Sequence, residues 1–190
     1  MQAEIITIGD ELLIGQVVDT NSAWLGRTLG EDGIKVTQIT SIQDDADQIS
    51  RTVNEALARV SIVLVTGGLG PTRDDITKHT LAELFGMRLV RDEQVYETVR
   101  RQLAVRGIAF NELNRGQALV PDGCTVLPNR NGTAPGMWFE RGGKILVSMP
   151  GVPFEMKALV TDEVLPRLRT HFSLHANVHR TATTFGLAES

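Results

Sequence analysis

Short β-branched runs alternate along the chain with longer stretches whose apolar residues recur every three to four positions. Ala3–Ile8 (AEIITI), Lys35–Ile42 (KVTQITSI) and Ser61–Thr66 (SIVLVT) are predicted strands, each with turn residues behind it. A first helix is predicted from Thr20 to about Gly30, with Asn21 or Thr20 as its cap and Trp24, Leu25 and Leu29 on one face. A second runs from about Asp45 to Val60, where Ile49, Val53, Ala56, Leu57 and Val60 share a face. Thr77–Phe85 and Glu93–Val105 read as further helices. Extended stretches are expected at Thr125–Leu127, Pro135–Phe139 and Lys144–Ser148, and a last helix near Val152.

Strand–helix–strand–helix–strand order predicts right-handed crossovers and a mostly parallel sheet covered on both faces. The Arg141-Gly142-Gly143 turn predicts a hairpin, hence an antiparallel edge. In open sheets of this class ligands bind beyond the carboxyl ends of the strands, so the loops there are the ones to read.

Composition narrows the class without changing that picture. With 190 residues, 42% apolar and 22% charged, disorder, collagen and coiled coil are excluded. A chain of this length buries roughly 70% of its unfolded surface, enough for one full core. Cys124 is the single cysteine, so no internal disulfide forms and a reduced, cytoplasmic setting is expected. No apolar run nears the roughly 20 residues of a membrane span. The start MQAEIITIGDELL has no basic region and does not read as a signal peptide. A net charge of −4, no Lys/Arg stripe and few aromatics argue against nucleic-acid partners. A small molecule is the expected ligand.

The loops behind the predicted strands are rich in glycine, in carboxylates, or in both. In Thr66–Thr77 (TGGLGPTRDDIT), Gly67, Gly68 and Gly70 allow close backbone approach, and consecutive N–H groups beside a helix start form an anion nest suited to phosphate. It is neither a Walker A loop nor a dinucleotide fingerprint, since no Gly-Lys-Ser/Thr follows and Arg73 stands where the third glycine belongs. Asp75 or Thr77 reads equally as a helix cap, and Arg73 as a pyrophosphate ligand or a solvated charge.

Asp10, Glu11, Asp44, Asp74 and Asp75 follow three strands, so the fold directs them to one rim. Such a cluster suits a hard cation such as Mg²⁺ or Mn²⁺. Asp74 and Asp75 are neighbours, so one is expected to bind while the other caps. Asn131–Gly136 (NGTAPG) and Met149–Glu155 (MPGVPFE) follow later strands, with Pro153 and Glu155 placed as a helix first turn prefers. His171, His175 and His179 have metal-pair spacing, but they lie beyond Pro166 among linker-like residues without a carboxylate. Cys124 and His79 read as structural. No Ser-His or Cys-His pair and no nucleophile elbow is visible, so metal-assisted attack on phosphorus is favoured over covalent catalysis.

Taken in series, Gly9-Asp10-Glu11-Leu12, Thr66–Thr77, Asn131–Gly136 and Met149–Glu155 resemble the N-terminal domain of the competence/damage-inducible CinA family. That domain is similar to the molybdopterin-binding proteins of the MogA/MoaB and MoeA type, and the resemblance spans roughly residues 3–170. It implies a three-layer α/β/α fold and hydrolysis of ADP-ribose to AMP and ribose 5-phosphate with a divalent cation (Mg²⁺, Mn²⁺ or Co²⁺), often helped by K⁺. It implies catalytic roles for Asp44 and for Asp74 or Asp75, and metal ligation by Asp10, Glu11 and Asp75. Substrate would be held by Gly9, Gly67, Gly68, Gly70 and Thr72, by Asn131, Gly132, Ala134, Pro135 and Gly136, and by Pro150, Gly151, Pro153 and Glu155. In the molybdopterin branch, aspartates at the positions of Asp44 and Asp75 are linked to adenylyl transfer, but Leu69 stands where that branch commonly has Thr or Ser. The rival expectations are molybdopterin binding with adenylyl transfer, or a non-catalytic nucleotide-binding or oligomerisation module. A homo-oligomer, dimer or trimer, is expected. Residues 1–170 read as the domain, and 171–190 as a linker opening a truncated further domain.

Overall fold

The computed structural model describes residues 1–70 and 75–172. A six-stranded sheet carries the fold, in the order β2-β1-β3-β8-β7-β6. Strands β1 (Gln2–Ile8), β2 (Lys35–Ile42), β3 (Ile62–Thr66) and β8 (Lys144–Met149) are mutually parallel, whereas β6 (Thr125–Leu127) and β7 (Gly136–Arg141) form the antiparallel edge. The Arg141–Lys144 hairpin is the one expected from its two glycines.

Alternation along β1 settles which helix covers which face. Ala3 and Ile5 point into one core with Leu25 and Leu29 of α2 (Thr20–Glu31), together with Met156, Leu159 and Leu168. Ile6 and Ile8 point into the other, against Ile49, Val53, Ala56 and Leu57 of α3 (Ala46–Arg59) and Leu81 of α4 (Thr77–Leu84). All five α3 positions expected to share a face are buried. Each such Leu or Ile contributes roughly 2 kcal/mol by leaving water.

The chain steps from β1 to β2 on one side and returns to β3 on the other. A topological switch point therefore opens between β1 and β3, at their carboxyl ends. Because β7 runs against β8, the loop entering β7 reaches that same end of the sheet.

A satellite unit adds unexpected elements around the helix expected at Glu93–Val105. Two three-residue strands, β4 (Leu89–Arg91) and β5 (Leu119–Pro121), pair antiparallel. Between them lie α5 (Glu93–Val105) and α6 (Glu112–Gly116), and Val95, Val99, Leu103, Ala118 and Val120 form a separate small core. A short α1 (Asp10–Leu13) follows β1, also unexpected.

The end of the domain needs a correction as well. After α7 (Pro153–Leu159) the chain makes one π turn at Val160–Val164 and continues as α8 (Leu165–Phe172), through Pro166. Pro166 has no N–H for the carbonyl of residue 162, and the wider turn just before it absorbs that loss. Arg167 donates from its side chain to the Glu163 carbonyl at 2.9 Å, and Arg169 clamps Asp32 at 2.8 and 3.0 Å. His171 lies in this helix, edge-on to Trp138 and Phe172, and not in a linker. His175 and His179 lie outside the described residues. No described helix is long and apolar enough to cross a membrane.

Candidate functional site

A cleft of about 470 Å³ lies at the switch point. Its floor is the loop leaving β3, where Gly67 and Gly68 take φ of 115° and 64°, conformations that side chains rarely adopt. There is no room for a side chain either: a Cβ on Gly67 would lie 2.0 Å from the Ile8 carbonyl oxygen, and one on Gly68 would lie 2.0 Å from Thr77 Oγ1. Thr77 is fully buried, and Asp44 Oδ1 stands on the same side, 3.2 Å from that position.

The backbone N–H groups are committed differently from the expectation of a bare anion nest. Gly67 N–H donates to the Met149 carbonyl at 3.0 Å and so joins two strand ends. Gly70 N–H donates to Asp75 Oδ1 at 2.8 Å. Asp75 therefore does not cap α4: the cap residue is Ile76, without a side-chain hydrogen bond, and Thr77 is the first helical residue. The Asp75 carboxylate occupies the seat an anion would take at Gly70, closing the loop on itself.

Glu11 and Asp75 both line the cleft, as do Leu69, Ala134, Pro150, Gly151 and Glu155. Gly9 lies behind Glu11, where a Cβ would stand 2.5 Å from Glu11 Oε1. Asp10 opens α1 on the exposed surface and does not line the cleft. Gly132 and Pro135 line a neighbouring hollow of about 160 Å³. Pro153 lines another of about 100 Å³ with Asn21 and Thr66, while Gly136 starts β7. Thr72, Arg73 and Asp74 lie outside the described residues. Among the described residues no group of three or more His, Cys, Asp or Glu side chains could hold a metal ion. Glu11 and Asp75 bring two carboxylates to one cleft, the number that Mg²⁺ takes beside its waters and substrate phosphates.

Several residues that build the site were not singled out from sequence. Asn129, buried ahead of β7, satisfies its whole amide. Its Nδ2 donates to the Ala134 carbonyl at 2.9 Å and to Glu155 Oε2 at 2.7 Å, and its Oδ1 accepts from Asn131 N and Gly132 N, both at 3.0 Å. It thereby folds the Asn131–Gly136 loop and aims Glu155. Asn21 does not cap α2, which Asp19 does at 2.9 Å. Asn21 Nδ2 donates instead to the Gly151 carbonyl at 2.7 Å, and Thr66 Oγ1 to the Pro150 carbonyl at 2.9 Å. Arg106, at the end of α5, reaches the cleft and donates to the Asn131 carbonyl at 2.9 Å.

Burial pushes Lys78 down to about 8, against the pull of Asp75, while its Nζ donates to the Gly116 carbonyl at 2.7 Å. Burial likewise pushes Cys124 up to about 11, so its thiol is inert, as expected.

Fold and cleft together define a three-layer α/β/α domain with a cleft among glycine-rich loops at a switch point. The family model described as a probable molybdopterin binding domain matches residues 4–170, and the chain belongs to that family, in its CinA-like branch. A CinA-like protein of Cytophaga hutchinsonii is 47% identical over 188 residues, covering 99% of this chain and 45% of that protein. One from Flavobacterium psychrophilum is 44% identical over 191 residues, covering 100% of this chain and 46% of that protein. The chain thus spans about half the length of the curated relatives it matches. The crystal structure of CinA from Thermoplasma acidophilum superposes with a TM-score of 0.78 at 36% identity, covering 84% of this chain and 94% of that one. The molybdopterin biosynthesis enzyme MoaB of Thermus thermophilus, at 19% identity and TM-score 0.58 over 90% of this chain and 96% of that one, shares the fold.

Proposed function

We propose that this domain hydrolyses ADP-ribose to AMP and ribose 5-phosphate with a divalent cation. The observation that carries the reading is the pairing, in one cleft, of a glycine loop with two carboxylates from different strand ends, Glu11 and Asp75. A cation held by those two would neutralise them and polarise the phosphoryl oxygens. The glycine loop would seat one phosphate at Gly70 N–H, in the place that the Asp75 carboxylate takes in this structure, with Asp75 then one of the two carboxylates that would hold the cation. Asp44 is the proposed base: it stands beside Gly68 but is not among the residues that line the cleft, and it would take a proton as water adds to phosphorus and the phosphoanhydride bond breaks. Glu155, held by Asn129, lines the same cleft. Asp10 is exposed and does not line the cleft, so it is not among the residues proposed to hold the cation, and K⁺ would be an auxiliary cation.

Incubation with ADP-ribose and Mg²⁺, Mn²⁺ or Co²⁺, read by chromatography, is expected to yield AMP. Asp75→Asn is expected to lower turnover at least a hundredfold with an unchanged melting profile. No AMP with any of the three cations refutes the activity, and full turnover in Asp75→Asn removes that residue from the mechanism.

The family description favours molybdopterin binding, the second reading, to which the resemblance adds adenylyl transfer. Leu69 is buried in the cleft wall and offers no hydroxyl there, which weighs for the hydrolase. Consumption of ATP with adenylylation of a pterin dithiolene, without ADP-ribose cleavage, would establish the rival. We also propose a cytoplasmic homo-oligomer, dimer or trimer, associated through apolar side chains beside the cleft.

A further inference from the structure

Four ionisable side chains line the cleft among the described residues: Glu11, Asp75, Glu155 and Arg106. Three are acidic, so a doubly charged ligand meets repulsion from every carboxylate not neutralised by a cation. Arg106 is the one base among these described residues, Arg73 lying outside them. It comes from outside the main sheet, from the last turn of α5 in the satellite unit.

Two hydrogen bonds one helical turn apart fasten that turn to the loop before β7. Gln102 Nε2 donates to the Asn129 carbonyl at 3.1 Å, and Arg106 Nη2 to the Asn131 carbonyl at 2.9 Å. A carbonyl fixes the guanidinium without cancelling its charge, unlike the carboxylate partners of Arg59 and Arg169. A guanidinium has five N–H donors in a planar fork that matches phosphate oxygens two at a time. One of them is spent on Asn131.

We propose that Arg106 clamps the diphosphate of the ligand, and that the satellite unit exists in this fold to deliver that charge. The glycine loop and the carboxylate-held cation serve one phosphate, and Arg106 serves the other. The site then selects ligands with two linked phosphates over monophosphates. This rests on the cleft accepting a phosphoanhydride, as in the proposed function.

The test is calorimetric binding of inorganic pyrophosphate and of ADP-ribose, each with Mg²⁺, alongside ADP-ribose turnover. Arg106→Gln is expected to weaken both ligands at least tenfold and to raise KM by a similar factor, with kcat within threefold. Arg106→Lys restores part of the loss, because the charge returns without the fork. Gln102→Ala loosens the same loop but lies outside the cleft, and is expected to change binding by less than about twofold. Equal losses in Arg106→Gln and Gln102→Ala would reduce Arg106 to a loop pin and overturn the proposal. So would unaltered binding in Arg106→Gln, or a wild-type protein that binds neither ligand. Arg106-dependent binding of pyrophosphate without cleavage of ADP-ribose would sink the hydrolase and leave the clamp standing.

Discussion

Gly132 and Glu155 compete for one space. A Cβ on Gly132 would lie 2.0 Å from Glu155 Oε2, and the Glu155 carboxylate is itself pinned by Asn129 Nδ2 at 2.7 Å. Gly132→Ala therefore cannot be absorbed by a small rotation: it must push Glu155 off Asn129 and leave an amide hydrogen without its acceptor. We expect Gly132→Ala to cost about 1–3 kcal/mol in urea denaturation. Combined with Glu155→Ala, which removes the obstacle, it should cost markedly less than the sum of the two single changes. Additive losses would mean that the two residues do not share this space. The same logic holds at Gly70, where a Cβ would meet Asp75 Oδ2 at 2.5 Å. Carboxylates packed against glycines are what the motif spacing encodes.

Helix α4 is tied to α6 by a single charged side chain, Lys78, bound to the Gly116 carbonyl. Its pKa is about 8 in the fold against 10.5 in the open chain, so between those values the unfolded state carries a proton that the folded state has lost. Stability must then rise with pH from about 8 to 10.5, and below 8 the folded state bears the full cost of charging a buried amine. A shift of that size is worth on the order of 3 kcal/mol. Denaturation midpoints of the wild type are expected to climb across this window relative to Lys78→Met; parallel profiles would refute the burial of this charge. Nothing in the sequence marked the connection. The strands β1, β2 and β3 and the helix α3 were legible because the cores on the two sheet faces demand a period of two in β1 and of 3.6 in α3. Helix α6, with five residues, and β4 and β5, with three each, are too short to carry a period. Helix caps were partly legible: Asp45 sits where the boundary predicts, accepting from Gln48 N. Asn21 and Asp75 instead spend their side chains on Gly151 and Gly70, contacts 130 and five residues away in sequence. In the cleft, glycines and carboxylates announce themselves by clustering. Arg106 does not, because an arginine after VRRQLAV reads as a solvated helix end until the loop at Asn131 is placed against it. Pro166 sits inside a helix because the preceding turn widens, and no residue of the π turn signals that widening.

Six of the twelve large apolar side chains left exposed among the described residues fall in two segments, 13–18 and 152–154, while Val105 and Ile108 stand apart in the satellite unit. Ile14 is 74% exposed, Val18 78% and Phe154 58%, with Leu13, Val17 and Val152 also open. Leu12, Val17 and Val18 line one hollow with Pro153, which brings the segment after α1 against the start of α7 beside the cleft. A solvated domain scatters such residues singly, so these two segments are the candidate contact surface for a second copy. The sheet adds an argument, because β2 is an edge strand with Ile39 half exposed, and open edges invite pairing unless covered. The two features predict different assemblies. Association through the rim buries Ile14 and Val18, whereas edge pairing would bury Ile39 and leave the rim in water. Sedimentation equilibrium of the 20.8 kDa chain is expected to give a dimer or trimer. Ile14→Asp with Val18→Asp should shift it to monomer by burying two unpaired charges in the interface, at several kcal/mol. Ile39→Asp should leave it assembled. Dissociation by Ile39→Asp alone would assign the interface to β2, and a monomeric wild type would mean the rim serves something other than a second copy.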